Sequence, residues 1–407
     1  MRRAIVIGGS LGGLFAGNTL LRSGWDVTIV ERSGGRLEGR GAGLGVHPPM
    51  LQGLLAAGAE VDGGVGVPVG GRTAFAPDGS IVGELRMPQF CTSWGRLYSM
   101  LSAVFPEERM RYGAALAGFA EDLEGVTARF LDGSEIRADV LIGADGVRST
   151  VRRQMFPDID LVSAGYIAWR GMVEEEALRP STHTDIFHRF AWGLLDREHI
   201  VGYPVPGALD DVTAGRRRFN FVWYRPVDAA VLADMQTDAT GHVHSDGIPP
   251  QSIRPEVIAA LRRDAEAILP PVFAEIVRKC PQPLFQPIGD LESPMMGLGR
   301  VALLGDAAFV ARPHVGKGAI KAGLDAIELA AALAHENVEV GLARYDAARR
   351  PESGRVVAES RRLGAYIEGK SKRADPITFM RENGGVESSN RDDGGLFFEL
   401  LAKAGFG

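Results

Sequence analysis

Cysteine is almost missing: Cys91 and Cys280 are the only two in 407 residues, far apart, with no second thiol near either. That excludes a CxxC redox pair and a thiolate zinc knuckle, and it leaves both cysteines reduced and structural. Positive charge is not in excess either, since 45 Lys and Arg face 51 Asp and Glu for a net charge of -6. This gives no nucleic-acid footprint, and the short basic runs Arg216-Arg217-Arg218 and Lys370 to Arg373 read as solvated faces. No apolar run is long enough to cross a bilayer and a strand begins directly after Met1-Arg2-Arg3, so a cytoplasmic protein with no membrane partner is expected. His183, His188 and His199 lack ligand spacing with carboxylates, and His242-x-His244 offers only a weak pair, so no metal is assigned.

What is present is enough apolar residue, 45%, for a large core and two or three domains. The apolar run Ala4 to Ile7 suits a strand buried on both faces; next come Gly8-Gly9-Ser10-Leu11-Gly12-Gly13, a helix over Leu11 to Arg22 and a second strand, Asp26 to Val30, ending on Glu31. The match to a dinucleotide fingerprint is Gly8, Ser10 and Gly13, with serine in the middle glycine slot. Glycine after a buried strand is often only a turn. Here the strand–helix–strand context and Glu31, placed for a ribose 2′-OH with Arg32 beside it, favour nucleotide binding.

Two later segments have the same strand-end character. Val140 to Gly143 runs into Ala144-Asp145-Gly146, where Asp145 reads equally as a helix cap, and Arg300 to Leu304 runs into Gly305-Asp306. Between them, Tyr166 to Tyr224 alternates apolar and polar residues and is rich in aromatics, which reads as an antiparallel sheet. Helices are expected over Pro255 to Leu269, Pro271 to Lys279, Gly318 to Ala334 and Ala343 to Glu368, with a short one at Leu396 to Ala404. The expected fold is an α/β Rossmann-like nucleotide domain, discontinuous over 1–70, 92–165 and 285–345. A β-rich substrate domain is inserted at 71–91 and 166–284, and 346–407 forms a C-terminal helix and tail. One dinucleotide held by both ends of one chain points to FAD. No second fingerprint exists for a nicotinamide domain.

With these three segments in this order, the chain resembles the single-component FAD-dependent aromatic hydroxylases of the para-hydroxybenzoate hydroxylase-like group. It is most similar to the hydroxypyridine branch through Thr92-Ser93-Trp94, Gly165 to Gly171, Gly193-Leu194-Leu195, Tyr203 to Gly207, Asn220 to Tyr224 and Arg312-Pro313-His314. The resemblance implies a glutathione-reductase type FAD domain, noncovalent FAD, NADH or NADPH as co-substrate, O2, and transfer of oxygen to a small hydroxylated ring from a flavin C4a-hydroperoxide. A homodimer is compatible with it. One departure is Trp94, which stands where the group usually carries an FAD-phosphate arginine; Arg40, ahead of Gly41-Ala42-Gly43, or Arg96 then supplies the cation.

The resemblance also places residues around the flavin. The helix start at Gly316, Lys317 and Gly318 would aim N–H groups at the flavin pyrimidine, and Pro313 and Val315 would line the loop over it. His47 and Tyr224, with His314 behind them, are the candidates for removing or holding the substrate's hydroxyl proton. An ordinary histidine pKa suits that task, although a turn-capping histidine and a core tyrosine are equally open readings. No isolated arginine is assignable to a substrate carboxylate, so a compact, uncharged ring is expected. Alternatives are a hydroxylase of a phenol, purine or polyketide, and a flavoprotein that senses a ligand without turnover.

Overall fold

A computed structural model describes residues 1–37, 42–245, 247–334, 337–384 and 395–406. Short, wholly apolar runs form the centre of a six-stranded sheet, in the order Gly297–Leu298, Val301–Leu303, Val140–Gly143, Arg3–Ile7, Asp26–Glu31, Met110–Tyr112. All neighbours are parallel except the first pair. Helices cover parallel strands on both faces, which is why residues 4–7, Val140–Gly143 and Val301–Leu303 carry no polar side chain. Leu11–Arg22 and Gly318–Ala332 pack against each other on this sheet, and Leu116–Glu121, Val126–Phe130 and Glu135–Ala138 add a small antiparallel meander.

The second sheet has nine strands, in the order Phe309–Val310, Leu284–Glu292, Val162–Glu174, Arg218–Pro226, His199–Val205, Phe190–Leu194, Val67–Phe75, Ile81–Ser93, Gly43–Val46. Its pairs are antiparallel, except that Phe190–Leu194 runs parallel to Val67–Phe75. The period-two pattern sorts the side chains. Phe219, Phe221 and Trp223 join a far-face core under helices Pro255–Ile268 and Pro271–Lys279, while Val222 and Tyr224 join a near-face core with Tyr166, Trp192 and Tyr203.

Three expectations about segments need correction. Gly43–Val46, most of Leu284–Glu292 and Phe309–Val310 fall in ranges assigned to the nucleotide domain, yet all three strands pair in the nine-stranded sheet. Strand partners are chosen across the fold, and runs this short do not announce them. The long C-terminal helix also crosses the expected boundary at 345, running Val338–Gly364, because Asn337 caps it through a hydrogen bond from the Val340 N–H. A short helix, Pro376–Glu382, stands where only a tail is expected, and it lies on the near face, where Phe379 and Met380 join Tyr366 and Ile367 in the core.

Candidate functional site

Register brings the three strand-end segments to one edge. Ile7 pairs with Val30 on one side and Gly143 on the other, and Gly143 pairs with Leu303, so the glycine loop, Ala144-Asp145 and Gly305-Asp306 leave adjacent strands at the same level. Carboxyl ends of parallel strands are where open α/β sheets bind ligands. Gly8 has φ +108° and a Cβ there would meet the Ala144 carbonyl, while a Cβ on Gly13 would fall on the Gly8 carbonyl. The chain can approach itself this closely only without side chains. Ser10 is the N-cap of the following helix and makes no side-chain capping hydrogen bond, and Leu11 is buried beneath it.

Glu31 is buried and fixed at both oxygens: Oε2 accepts from the Gly9 N–H at 2.8 Å and Oε1 from the Ser33 N–H at 2.8 Å. Arg32 points outward and is exposed. Ser149 is the N-cap of the helix Thr150–Met155, and Asp145 Oδ2 adds to it by accepting from the Thr150 N–H at 2.7 Å, while its buried Oδ1 has no partner. Asp145 therefore supports the helix start beside Ser149 and keeps one acceptor over. Asp306 is exposed, yet the protein crowded around it raises its pKa, as does Asp325, against Lys321. A carboxylate hemmed in but still open to solvent on one side is free to accept a hydrogen bond from a ligand. Beneath it, Asp325 Oδ2 accepts from the Gly305 N–H at 3.1 Å, Lys321 Nζ donates to the Gly305 carbonyl at 2.7 Å, and Arg349 Nε donates to Asp325 Oδ1 at 2.8 Å.

The near face of the large sheet supplies the other wall. His314 is buried in the turn Pro313–Val315, its Nε2 2.7 Å from the Tyr166 hydroxyl and its ring centroid 4.5 Å from that of Tyr224. Pro313 opens that turn and Gly316 ends it in the left-handed region. Lys317 caps the helix that begins at Gly318, and a Cβ on Gly318 would meet nothing within 4 Å. Tyr224 is buried, and burial pushes its hydroxyl up to about 12 against the pull of Arg170.

His47 is the N-cap of the helix Pro48–Ala56 but caps nothing with its side chain; both ring nitrogens are buried and unpartnered. Burial, then Arg72 and Lys317, push its pKa down to about 3 against a smaller opposing pull from the Gly384 main chain, which lies by the ring without making a well-aligned hydrogen bond. The near-neutral value expected for it is therefore corrected: in the protein alone His47 stays neutral. Burial and Arg312 push His314 down to about 3 as well. Neither histidine is satisfied in the manner of a turn cap.

Arg40 lies outside the described residues. Trp94 stacks on Tyr98 at 5.0 Å, and Arg96 spends its Nε on the Gly64 carbonyl at 2.9 Å. Sequence reasoning missed Arg72 and Gly384, and it gave Asn220 no role of its own. Asn220 Oδ1 accepts from the Gly43 N–H at 2.9 Å, tying the sheet to the strand before His47. The Gly384 N–H donates to the His314 carbonyl at 2.8 Å. The alternating strand did single out Asn220, and Arg72 shows only as a lone cation in an otherwise apolar strand. Gly384 carries no signal. Shallow concavities at Arg179, Glu275 and Arg278, and at Asn18, Arg22 and Pro106, hold none of these residues. Among the described residues no cluster of three metal-ligating side chains occurs, and no helix is long and apolar enough to cross a membrane.

Comparison with known proteins fits this geometry. An FAD binding domain-like family model matches residues 163–290, the inserted sheet and its helices. The chain is 34% identical over 330 residues to 2,6-dihydroxypyridine 3-monooxygenase of Paenarthrobacter nicotinovorans, covering 81% of this chain and 82% of the relative. The solved structure of 2,6-dihydroxypyridine-3-hydroxylase from Arthrobacter nicotinovorans superposes with a TM-score of 0.85 at 30% identity, over 93% of this chain and 96% of that one. Klebsiella pneumoniae HpxO, solved with FAD and uric acid, shares the fold with a TM-score of 0.74 at 23% identity, over 98% and 97% of the two chains. The residues present fit FAD: a glycine cradle no side chain could enter, an unpartnered buried acceptor on Asp145, and an open helix start at Gly318 all border one edge. The chain belongs to the FAD-dependent aromatic-ring monooxygenases.

Proposed function

We propose that this enzyme hydroxylates a compact hydroxypyridine-like ring, adding one oxygen at carbon 3 of a 2- or 6-hydroxypyridine with NADH or NADPH and O2 as co-substrates. The observation that carries the reading is the convergence of unpartnered buried polar atoms on an aromatic wall: both nitrogens of His47, Nδ1 of His314, Nε1 of Trp192 and Nδ2 of Asn220. Buried polar groups are nearly always paired, so several orphans on one wall ask for a polar ligand. The 34% identity to a dihydroxypyridine enzyme supports a nitrogen heterocycle as that ligand.

In this reading the six-stranded unit holds the cofactor and the nine-stranded sheet holds the ring. Gly8, Ser10, Leu11 and Gly13 with their helix start receive the pyrophosphate, and Glu31, with Arg32 beside it in sequence, the ribose side. Asp145 and Asp306 accept hydrogen bonds from the cofactor's sugar and ribityl hydroxyls. The helix start at Gly316, Lys317 and Gly318 offers N–H groups to the negative pyrimidine edge. When bound, FAD would supply the redox chemistry, relaying two electrons from NAD(P)H to O2 so that one oxygen atom enters the ring and the other leaves as water. Pro313 and Val315 exclude water from that step. Neutral His47 accepts the ring hydroxyl's proton, the new negative charge on the ring offsetting the Arg72 field that otherwise opposes an imidazolium, and Tyr224 hydrogen-bonds the ring oxygen.

A panel of hydroxylated pyridines, benzoates and larger polycycles tests this, scored by stimulated NAD(P)H oxidation and by mass spectrometry after turnover in isotopically labelled O2. One labelled oxygen on a hydroxypyridine is expected. Strong turnover of a benzoate or polycycle with none on hydroxypyridines rejects the substrate class. Tight ligand binding without turnover would instead identify a sensor.

A further inference from the structure

Arg72 lies on the strand Val67–Phe75, opposite Phe190 of the neighbouring strand, and is 1% exposed. A guanidinium in the interior is costly unless its charge and donors are met. Among the described residues no carboxylate pairs with it. Its Nε and Nη2 donate to Gln89 Oε1 at 3.2 and 2.8 Å, and its Nη1 donates to the main-chain carbonyls of Met380 and Asn383. Those carbonyls end the helix Pro376–Glu382, where helical carbonyls have no partner of their own and the dipole is negative. The arginine thus caps a helix that arrives from the far end of the chain.

The cap also fixes the position of the next residue, Gly384. At φ +80°, Gly384 hydrogen-bonds the His314 carbonyl at 2.8 Å, and its main chain faces the His47 ring. A Cβ there would lie 3.4 Å from Arg72 Nη2 and 3.5 Å from Phe190 Cζ. Gly316, on the loop assigned to the flavin, packs against the Gly384 carbonyl. Asn383 keeps a buried Oδ1 with no partner. One short segment therefore touches the candidate proton acceptor, the His314 turn and the aromatic sheet, and carries an unused acceptor among them.

We propose that Arg72 is a positioning residue that holds Met380–Gly384 as one wall of the ring-binding pocket, so that the C-terminal segment helps to set substrate specificity. The proposal rests on the functional reading in which the ring lies beside His47. Without the guanidinium the two carbonyls lose their donors and the segment leaves the pocket, admitting water and loosening the ring.

The test compares Arg72→Met, Arg72→Lys and Gly384→Ala with the parental holoenzyme. Expected for Arg72→Met are FAD content within about twofold, a KM for the hydroxypyridine raised about tenfold or more, and a clear drop in product formed per NAD(P)H oxidised. Amide exchange over 377–384 should accelerate about tenfold or more without substrate present. Arg72→Lys should restore part of each effect, since an ammonium reaches one carbonyl more readily than two. Gly384→Ala should raise KM and uncoupling with the charge intact. Parental KM, coupling and exchange in Arg72→Met overturn the proposal; if that variant does not fold, the same result in Arg72→Lys and Gly384→Ala does so. Should the parental enzyme turn over no hydroxypyridine, the substrate reading fails by itself, and the exchange comparison alone judges Arg72.

Discussion

Glu31 Oε2 accepts the Gly9 N–H at 2.8 Å, so the acidic residue at the end of the second strand is tied to the glycine loop that ends the first. The second tie, from the Ser33 N–H to Oε1, leaves the carboxylate immobile with lone pairs to spare. In the proposed reading a ribose hydroxyl would meet an acceptor already oriented. Glu31→Ala is expected to weaken FAD binding by about 1.5–3 kcal/mol, the range for a hydrogen bond to a charged group, or roughly tenfold to a hundredfold in Kd. Titration of the apoprotein with FAD measures this directly; an unchanged Kd moves the ribose contact elsewhere.

Asp306 and Asp325 should separate binding from stability. Asp306 is exposed at the strand-end edge, so Asp306→Ala is expected to lose FAD while the apoprotein's urea midpoint stays nearly unchanged. Asp325 is fully buried between Lys321, Arg349 and the Gly305 N–H, so Asp325→Ala strands the buried Lys321 and the half-buried Arg349. A loss of about 3–5 kcal/mol is expected, with FAD affinity falling as the Gly305 turn loosens. Equal destabilisation by both variants would contradict the assignment of Asp306 to the cofactor rather than to the fold.

The difference between these two aspartates also shows what the sequence makes visible. Asp306 is legible because it ends a buried strand at a recognisable Gly-Asp turn; Asp325 sits mid-helix, and only the fold brings it under Gly305. The same holds across the site. The glycine loop, Glu31 and Asp145 are local patterns of strand, turn and helix, and alternation puts Val222 and Tyr224 on one face, where the structure has them. His47 is noticeable as a residue but not as a neutral one, since its pKa depends on Arg72, a partner brought close by sheet pairing. Arg72 itself gains meaning from carbonyls some three hundred positions away. Helix Pro376–Glu382 is hidden in a polar tail because its burial comes from docking on the sheet rather than from its own periodicity.

Acid should destabilise the fold through its buried histidines. His47 and His314 each titrate at about 3 when folded, because burial and then a neighbouring arginine disfavour the imidazolium. Unfolded, both return to about 6.5 and so bind more protons than the native state between those values. Their contribution is complete above pH 6.5 and is lost as pH falls toward 3, at about 1.4 kcal/mol per pH unit for each histidine. Urea unfolding at pH 7 and pH 5 should show His314→Gln losing less stability than the parental protein across that interval, by roughly the share of one proton. Parallel losses would mean that His314 charges within the native fold.

His47 and Tyr224 can be told apart by how each responds to pH and to the ring's own acidity. If His47 takes the hydroxyl proton, His47→Ala should keep its FAD, since the residue borders the ring and not the cofactor's phosphates, but hydroxylate about a hundredfold more slowly. The defect should shrink when pH approaches the substrate hydroxyl's own pKa, because solution then removes the proton that His47 would have taken. Tyr224→Phe removes one hydrogen bond to the ring oxygen and leaves the proton transfer in place, so a loss of about tenfold that does not depend on substrate acidity is expected. Single-turnover product yield per FAD, measured over a pH series with hydroxypyridines of differing acidity, reads both outcomes at once. If His47→Ala hydroxylates at the parental rate at every pH, the proton acceptor is not His47. His314 then takes its place, for its Nδ1 is buried without a partner and its ring lies 4.5 Å from that of Tyr224.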